Sequence, residues 1–159
     1  MQECGFDRLH VKEGIERMRW PGRMEEVFPN VYIDGAHNED GIRAFVDSLK
    51  NATDLERCML IFSVVKDKQY DKMIEQLCSL GMVTEFVLTH IPGERGAGLD
   101  VLVEQFKGYT DKEIRVFEQI EDAVLYCLEK RNSSVQDIYI VGSLYLAGAV
   151  RKLLEERKA

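Results

Sequence analysis

The chain has 159 residues, about one domain's worth, and its 45% hydrophobic and 31% charged content is enough for a packed core. Lys and Arg total 21 against 28 Asp and Glu, and the formal charge of −7 argues against a nucleic-acid binder, whose affinity comes from cations on phosphate. No apolar run approaches the roughly 18 residues of a membrane span, and the polar start MQECGFDRLH does not read as a secretory leader.

Residues 6–19 form a loosely amphipathic pattern (Val11, Ile15, Met18), read as a helix that stops at Trp20-Pro21. MEEVF at 24–28, followed by Pro29-Asn30, is a candidate edge strand turning back into VYID at 31–34. Further β-branched or aromatic runs predict strands at 58–65 (CMLIFSVV), 85–90 (EFVLTH), 114–118 (IRVFE) and 138–142 (IYIVG). Between them lie helical stripes: Ile42, Phe45, Val46 and Leu49; Met73, Ile74, Leu77 and Leu80; Leu99, Leu102, Val103 and Phe106. Ile120, Val124, Cys127 and Leu128 make a fourth, and Leu146, Val150, Leu153 and Leu154 a fifth. This alternation predicts an α/β, Rossmann-like, mostly parallel sheet with helices on both faces. Ligands of such sheets gather at the carboxyl ends of the strands.

The cysteines at 4, 58, 78 and 127 form no CxxC pair, and His10, His37 and His90 show no metal-ligand spacing. No metal site is expected, and reduced, buried thiols fit a cytoplasmic setting. There is also no nucleotide fingerprint. The chain has no Gly-Lys dipeptide for a P-loop, and Gly96-Ala97-Gly98 is a lone GxG in the loop PGERGAG. Any nucleotide would therefore be met by side chains, as a second wall.

Four stretches carry candidate chemistry. In Asp34-Gly35-Ala36-His37-Asn38, the Asp34 carboxylate suits ribose hydroxyls, His37 suits an anionic oxygen, and Asn38 suits a helix N-cap. A plain turn with a cap fits the same residues. Arg23, after Trp20-Pro21-Gly22, offers a guanidinium fork for phosphate, or simply a solvated side chain. Ser143 after Gly142 reads first as the N-cap of the last helix. Lys66-Asp67-Lys68 fits a solvated loop.

In order, WPGR at 20–23, VYIDGAHN at 31–38, VVKDK at 64–68 and IYIVGSLYLAGAVRKLL at 138–154 resemble the C-terminal domain of the folylpolyglutamate synthase family, including its bifunctional form with dihydrofolate synthase. That family is part of the Mur ligase group of ATP-dependent, amide-forming ligases. The resemblance implies a Rossmann-like domain of about six strands over 20–159, with 1–19 as an inter-domain linker or helix remnant. It also implies a split active site, whose P-loop and most magnesium ligands lie in an N-terminal domain. The activity implied is addition of L-glutamate to folate or dihydropteroate through an acyl phosphate, with ATP and Mg2+. By motif, Arg23 matches the arginine reaching ATP phosphates and Asp34 the aspartate on the ATP ribose. His37 matches the catalytic, glutamate-side histidine, and Ser143 the glutamate-side serine. Departures are Glu39 where Pro is common, Gln69 closing DKQ in place of DKD, and Gly96 after Arg95 in place of Ala. The expectation is a domain inactive alone and monomeric. A free-standing small-ligand or protein-binding module with the same fold is the alternative. A peptidoglycan Mur ligase is disfavoured because no DSKAT-like stretch replaces DGAHN.

Overall fold

The computed structural model describes residues 23–131 and 136–158. The helix expected over 6–19 and the Trp20-Pro21-Gly22 turn lie outside them. Strands are β1 (Glu25–Phe28), β2 (Val31–Ile33), β3 (Cys58–Phe62), β4 (Val83–Thr89), β5 (Glu113–Phe117) and β6 (Asp137–Val141). Helices are α1 (Glu39–Lys50), α2 (Tyr70–Cys78), α3 (Leu99–Lys107), α4 (Ile120–Arg131) and α5 (Leu144–Lys158). All five hydrophobic stripes fall on these helices except Leu80, which lies just past α2 and is still buried.

The six strands form one sheet in the order β1-β2-β6-β3-β4-β5, parallel throughout except for β1 against β2. The steps β2 to β3, β3 to β4 and β4 to β5 all advance in one direction, so right-handed crossovers put α1, α2 and α3 on one face. The step from β5 to β6 runs back, which sends α4 to the other face, and α5 follows β6 there. Two cores result. Ile42 and Phe45 of α1, Met73 of α2 and Phe106 of α3 pack on Leu60, Phe62, Phe86 and Val141. Val124 and Cys127 of α4 and Leu146 and Val150 of α5 pack on the opposite faces of the same strands, through Met59, Ile61, Val87 and Ile140. The alternation along β3 is the period-2 geometry of a strand buried on both sides.

β3 is shorter than its apolar run. It ends at Phe62, and Val65 instead makes an antiparallel bridge with Gly96, where Lys66 N–H donates to Arg95 O (2.8 Å) and Ala97 N–H to Val64 O (2.8 Å). The loops after β3 and β4 are thereby zipped together over the carboxyl edge of the sheet. Arg95 lies on the Tyr145 ring (5.6 Å to its centroid) and donates to its hydroxyl, tying that zipper to α5.

Glu85, 1% exposed on β4, carries a buried charge at the β4–β5–α4 side. It accepts from Tyr126 Oη (2.6 Å) and Lys130 Nζ and pairs with Arg115 Nε (3.3 Å), so its oxygens have charged and neutral donors. Burial pushes the thiols of Cys58, Cys78 and Cys127 up to about 12, which makes them inert apolar fillers. Among the described residues, no helix is long and apolar enough to cross a membrane, and no group of three His, Cys, Asp or Glu could hold a metal ion.

Candidate functional site

Where α1 departs to one face and α5 to the other, the carboxyl ends of β2 and β6 are left open between diverging loops, the topological switch point of an open α/β sheet. β2 and β6 remain in register to their ends, with Ile33 opposite Ile140 and Asp34 N–H donating to Ile140 O (2.9 Å). Gly142 N–H then donates to Ala36 O (3.0 Å), which binds the two loops together.

On its other side, Gly142 lets the end of β6 close against the end of β3. Its φ is +116°, and a Cβ there would stand 2.2 Å from Ser63 O and 2.7 Å from the Phe62 ring. Only glycine fits both the torsion and the space.

A groove of about 540 Å³ opens at this edge, walled by Arg23, Asp34 and His37 with Ala44, Ser48 and Leu144 among its other contacts. Asp34 is 9% exposed. Its Oδ1 accepts from Ala36 N–H (2.8 Å) and its Oδ2 from Met24 N–H (3.2 Å). Burial holds its carboxyl above the ordinary carboxylate range, opposed by those two backbone donors and by the Arg23 charge. Each oxygen keeps a lone pair for a further donor, the pattern a diol requires. An anion-bearing diol such as a nucleotide ribose with its phosphates therefore fits the donor and acceptor set of Asp34 and Arg23.

His37 is half-buried, and its Nδ1 lies 2.8 Å from Gly35 O. A carbonyl only accepts, so Nδ1 carries the proton. Nε2 is then an acceptor in the neutral ring and a donor only in the imidazolium. Asn38 is the expected N-cap of α1, its Oδ1 accepting from Gly41 N–H (2.8 Å).

Ser143 stands apart. It is 2% exposed, and its Oγ accepts from Tyr145 N–H (3.1 Å), which makes it the N-cap of α5. Arg23, Asp34 and His37 thus share one groove, while the Ser143 hydroxyl is turned into a helix end next to groove-lining Leu144. Lys66, Asp67 and Lys68 are exposed on their loop. Sequence reasoning passed over Met24, whose backbone rather than side chain contacts Asp34, and no residue-type signal marks such a role.

Comparison with known proteins agrees with this architecture. The model of the Mur ligase, glutamate ligase domain matches residues 17–144. The dihydrofolate synthase/folylpolyglutamate synthase of Bacillus subtilis is 29% identical over 147 residues, which is 91% of this chain and 33% of that protein. The folylpolyglutamate synthase of Lacticaseibacillus casei is 31% identical over 147 residues, covering 91% of this chain and 32% of the relative. Among solved structures, Mycobacterium tuberculosis folylpolyglutamate synthase complexed with ADP and AMPPCP superposes with a TM-score of 0.80 at 26% identity, over 94% of this chain and 36% of that one. The chain spans about a third of the length of the curated relatives it matches. With its six-stranded, Rossmann-like sheet and the family match over most of its length, the chain belongs to the Mur ligase family, as its glutamate ligase domain.

Proposed function

We propose that this chain, over residues 20–159, is the C-terminal lid of an ATP-dependent ligase that adds L-glutamate to folate or dihydropteroate, working in the cytoplasm in a monomeric enzyme. Its partner is an N-terminal P-loop domain of the same enzyme, joined through residues 1–19. The observation that carries the reading is the single groove shared by Arg23, Asp34 and His37 at the β2–β6 switch point.

In the proposed reaction a folate carboxylate oxygen attacks the γ-phosphorus of ATP and ADP departs, leaving an acyl phosphate. The glutamate amine then adds to the acyl carbon, and phosphate leaves with the electron pair of the C–O bond as the amine loses its proton. Arg23 draws on phosphate oxygens with its fork of donors. Asp34 takes the two ribose hydroxyls on the lone pairs that Met24 and Ala36 leave free. His37 Nε2, an acceptor in the neutral ring, takes the hydrogen bond or proton of the incoming amine. Ser143 serves the glutamate side by fixing the α5 N-terminus beside the groove. Mg2+, when bound, offsets phosphate charge and is held by the P-loop domain. Closure of the lid excludes water that would otherwise hydrolyse the acyl phosphate.

Steady-state kinetics of the full-length ligase test this assignment. Arg23→Ala and Asp34→Ala are expected to raise KM for ATP about tenfold or more, and His37→Ala to depress glutamate use by a similar factor. Unaltered constants in all three would overturn it.

A further inference from the structure

Two described non-glycine residues have left-handed backbones, Asn30 at φ 61° and Met24 at φ 45°. Asn30 follows Pro29 in the turn between β1 and β2, and asparagine tolerates that region by bonding its own backbone. Met24 has no such excuse. It lies in no two-residue hairpin, and methionine rarely adopts this torsion. A strained residue of this kind persists only where its surroundings over-determine it, and such positions cluster at functional sites.

Two contacts hold Met24 in place. Its side chain packs, half-buried, against the core under α1 to α3. Its N–H, which in a regular edge strand would point along the sheet, donates instead to Asp34 Oδ2 (3.2 Å). The residue before it, Arg23, lines the same groove as Asp34, and its charge is felt at that carboxyl.

We propose that Met24 is a positioning residue: its left-handed backbone aims an N–H at one oxygen of Asp34 and turns Arg23 toward the same groove, so one torsion sets the spacing between the groove's carboxylate and its guanidinium. This rests on the reading that Asp34 holds the ribose and Arg23 the phosphates of one nucleotide. The spacing between a diol and its phosphates is fixed, so an error in that torsion weakens both contacts together.

The test compares variants at position 24 in the full-length ligase, with Asp34→Ala alongside. Met24→Gly still admits the left-handed torsion and keeps the N–H, whereas Met24→Pro fixes φ near −65° and removes the donor. Met24→Leu keeps the anchor. The expected result is a KM for ATP within about threefold of the parent for Met24→Leu and Met24→Gly, and raised about tenfold or more for Met24→Pro, with kcat little changed. Carboxyl-carbon NMR of the 159-residue chain adds a readout that folding alone does not move: Asp34 titrates higher in Met24→Pro than in Met24→Gly, since a donor to its ionised form is gone. If Met24→Pro does not fold, Met24→Val, whose β-branch opposes a positive φ, takes its place in both measurements. A folded Pro or Val variant with parental KM, while Asp34→Ala is crippled, overturns the inference about Met24 alone. An unaffected Asp34→Ala instead removes the nucleotide reading beneath it.

Discussion

Gly142→Ala and Gly148→Ala make the same chemical change in one chain and are expected to act with opposite sign. At Gly142 the added methyl would sit 2.2 Å from Ser63 O and 2.7 Å from the Phe62 ring, and the backbone is at φ +116°. Real Cβ contacts essentially never fall below 3.0 Å, so β6 and the end of β3 must part by nearly an ångström. A non-glycine residue at such a torsion costs about 1–3 kcal/mol, and overpacking of a buried site costs a similar amount, so a loss of about 4 kcal/mol is expected. Against a total stability of about 5–15 kcal/mol that is a large fraction. At Gly148, inside α5, nothing lies within 4 Å of the added methyl, and the gain in helix propensity is about 0.5–1 kcal/mol. Urea unfolding of the isolated chain, with a slope of about 2 kcal/mol per molar, should move the midpoint down by about 2 M for Gly142→Ala. For Gly148→Ala it should rise by a few tenths molar. Equal midpoints for Gly142→Ala and the parent would refute the claim that this glycine lets the end of β6 pack at contact distance on Phe62 and Ser63.

Asp34 has a second, pH-dependent signature. Its folded carboxyl is held above the ordinary value by burial, so the folded state binds the proton more tightly than the unfolded one. Its contribution to stability is therefore present below about pH 4 and is lost as pH rises through the raised folded value. The difference in unfolding free energy between the parent and Asp34→Asn should fall across that interval, and a difference that grows with pH would contradict the reasoning. Ser63 Oγ is buried without a hydrogen-bond partner, so Ser63→Ala should leave thermal stability unchanged or raise it by about 1 kcal/mol, read as Tm by calorimetry. Lys130→Met removes one of the donors to buried Glu85 while Tyr126 and Arg115 remain, and should cost about 1–3 kcal/mol in urea unfolding.

The order of strands and helices was legible because each stripe and run buries a face, and burial dictates period. The twofold burial of β3, Cys58 to Phe62, appears in the sequence as an unbroken apolar run, the mark of a strand covered on both sides. The same run hides where the strand stops. Val64 and Val65 are as apolar as their predecessors, yet their backbone pairs with Ala97 and Gly96 in the loop after β4, and no local pattern encodes that partner. Asn38 and Ser143 were readable as caps because capping is a short-range interaction between a side chain and the next turn. Residue types at 23, 34 and 37 suggested phosphate, hydroxyl and anion chemistry, but not that the Gly35 carbonyl fixes the His37 tautomer. The left-handed turn at Met24 was invisible, since its role belongs to a backbone N–H that every residue but proline possesses. Glu85 read only as the first residue of a strand, and its three donors come from β5 and α4, distant in sequence.

In the proposed ligase this domain supplies one wall of a site that a P-loop domain completes. Glutamate-dependent release of ADP with formation of an extended folate product, measured for the 159-residue chain alone, for the P-loop domain alone and for the two joined, tests this directly. Product is predicted from the joined protein only, and lost again when Arg23, Asp34 and His37 are replaced together. Turnover by this chain alone, or undiminished turnover by the joined protein carrying the triple replacement, would contradict it.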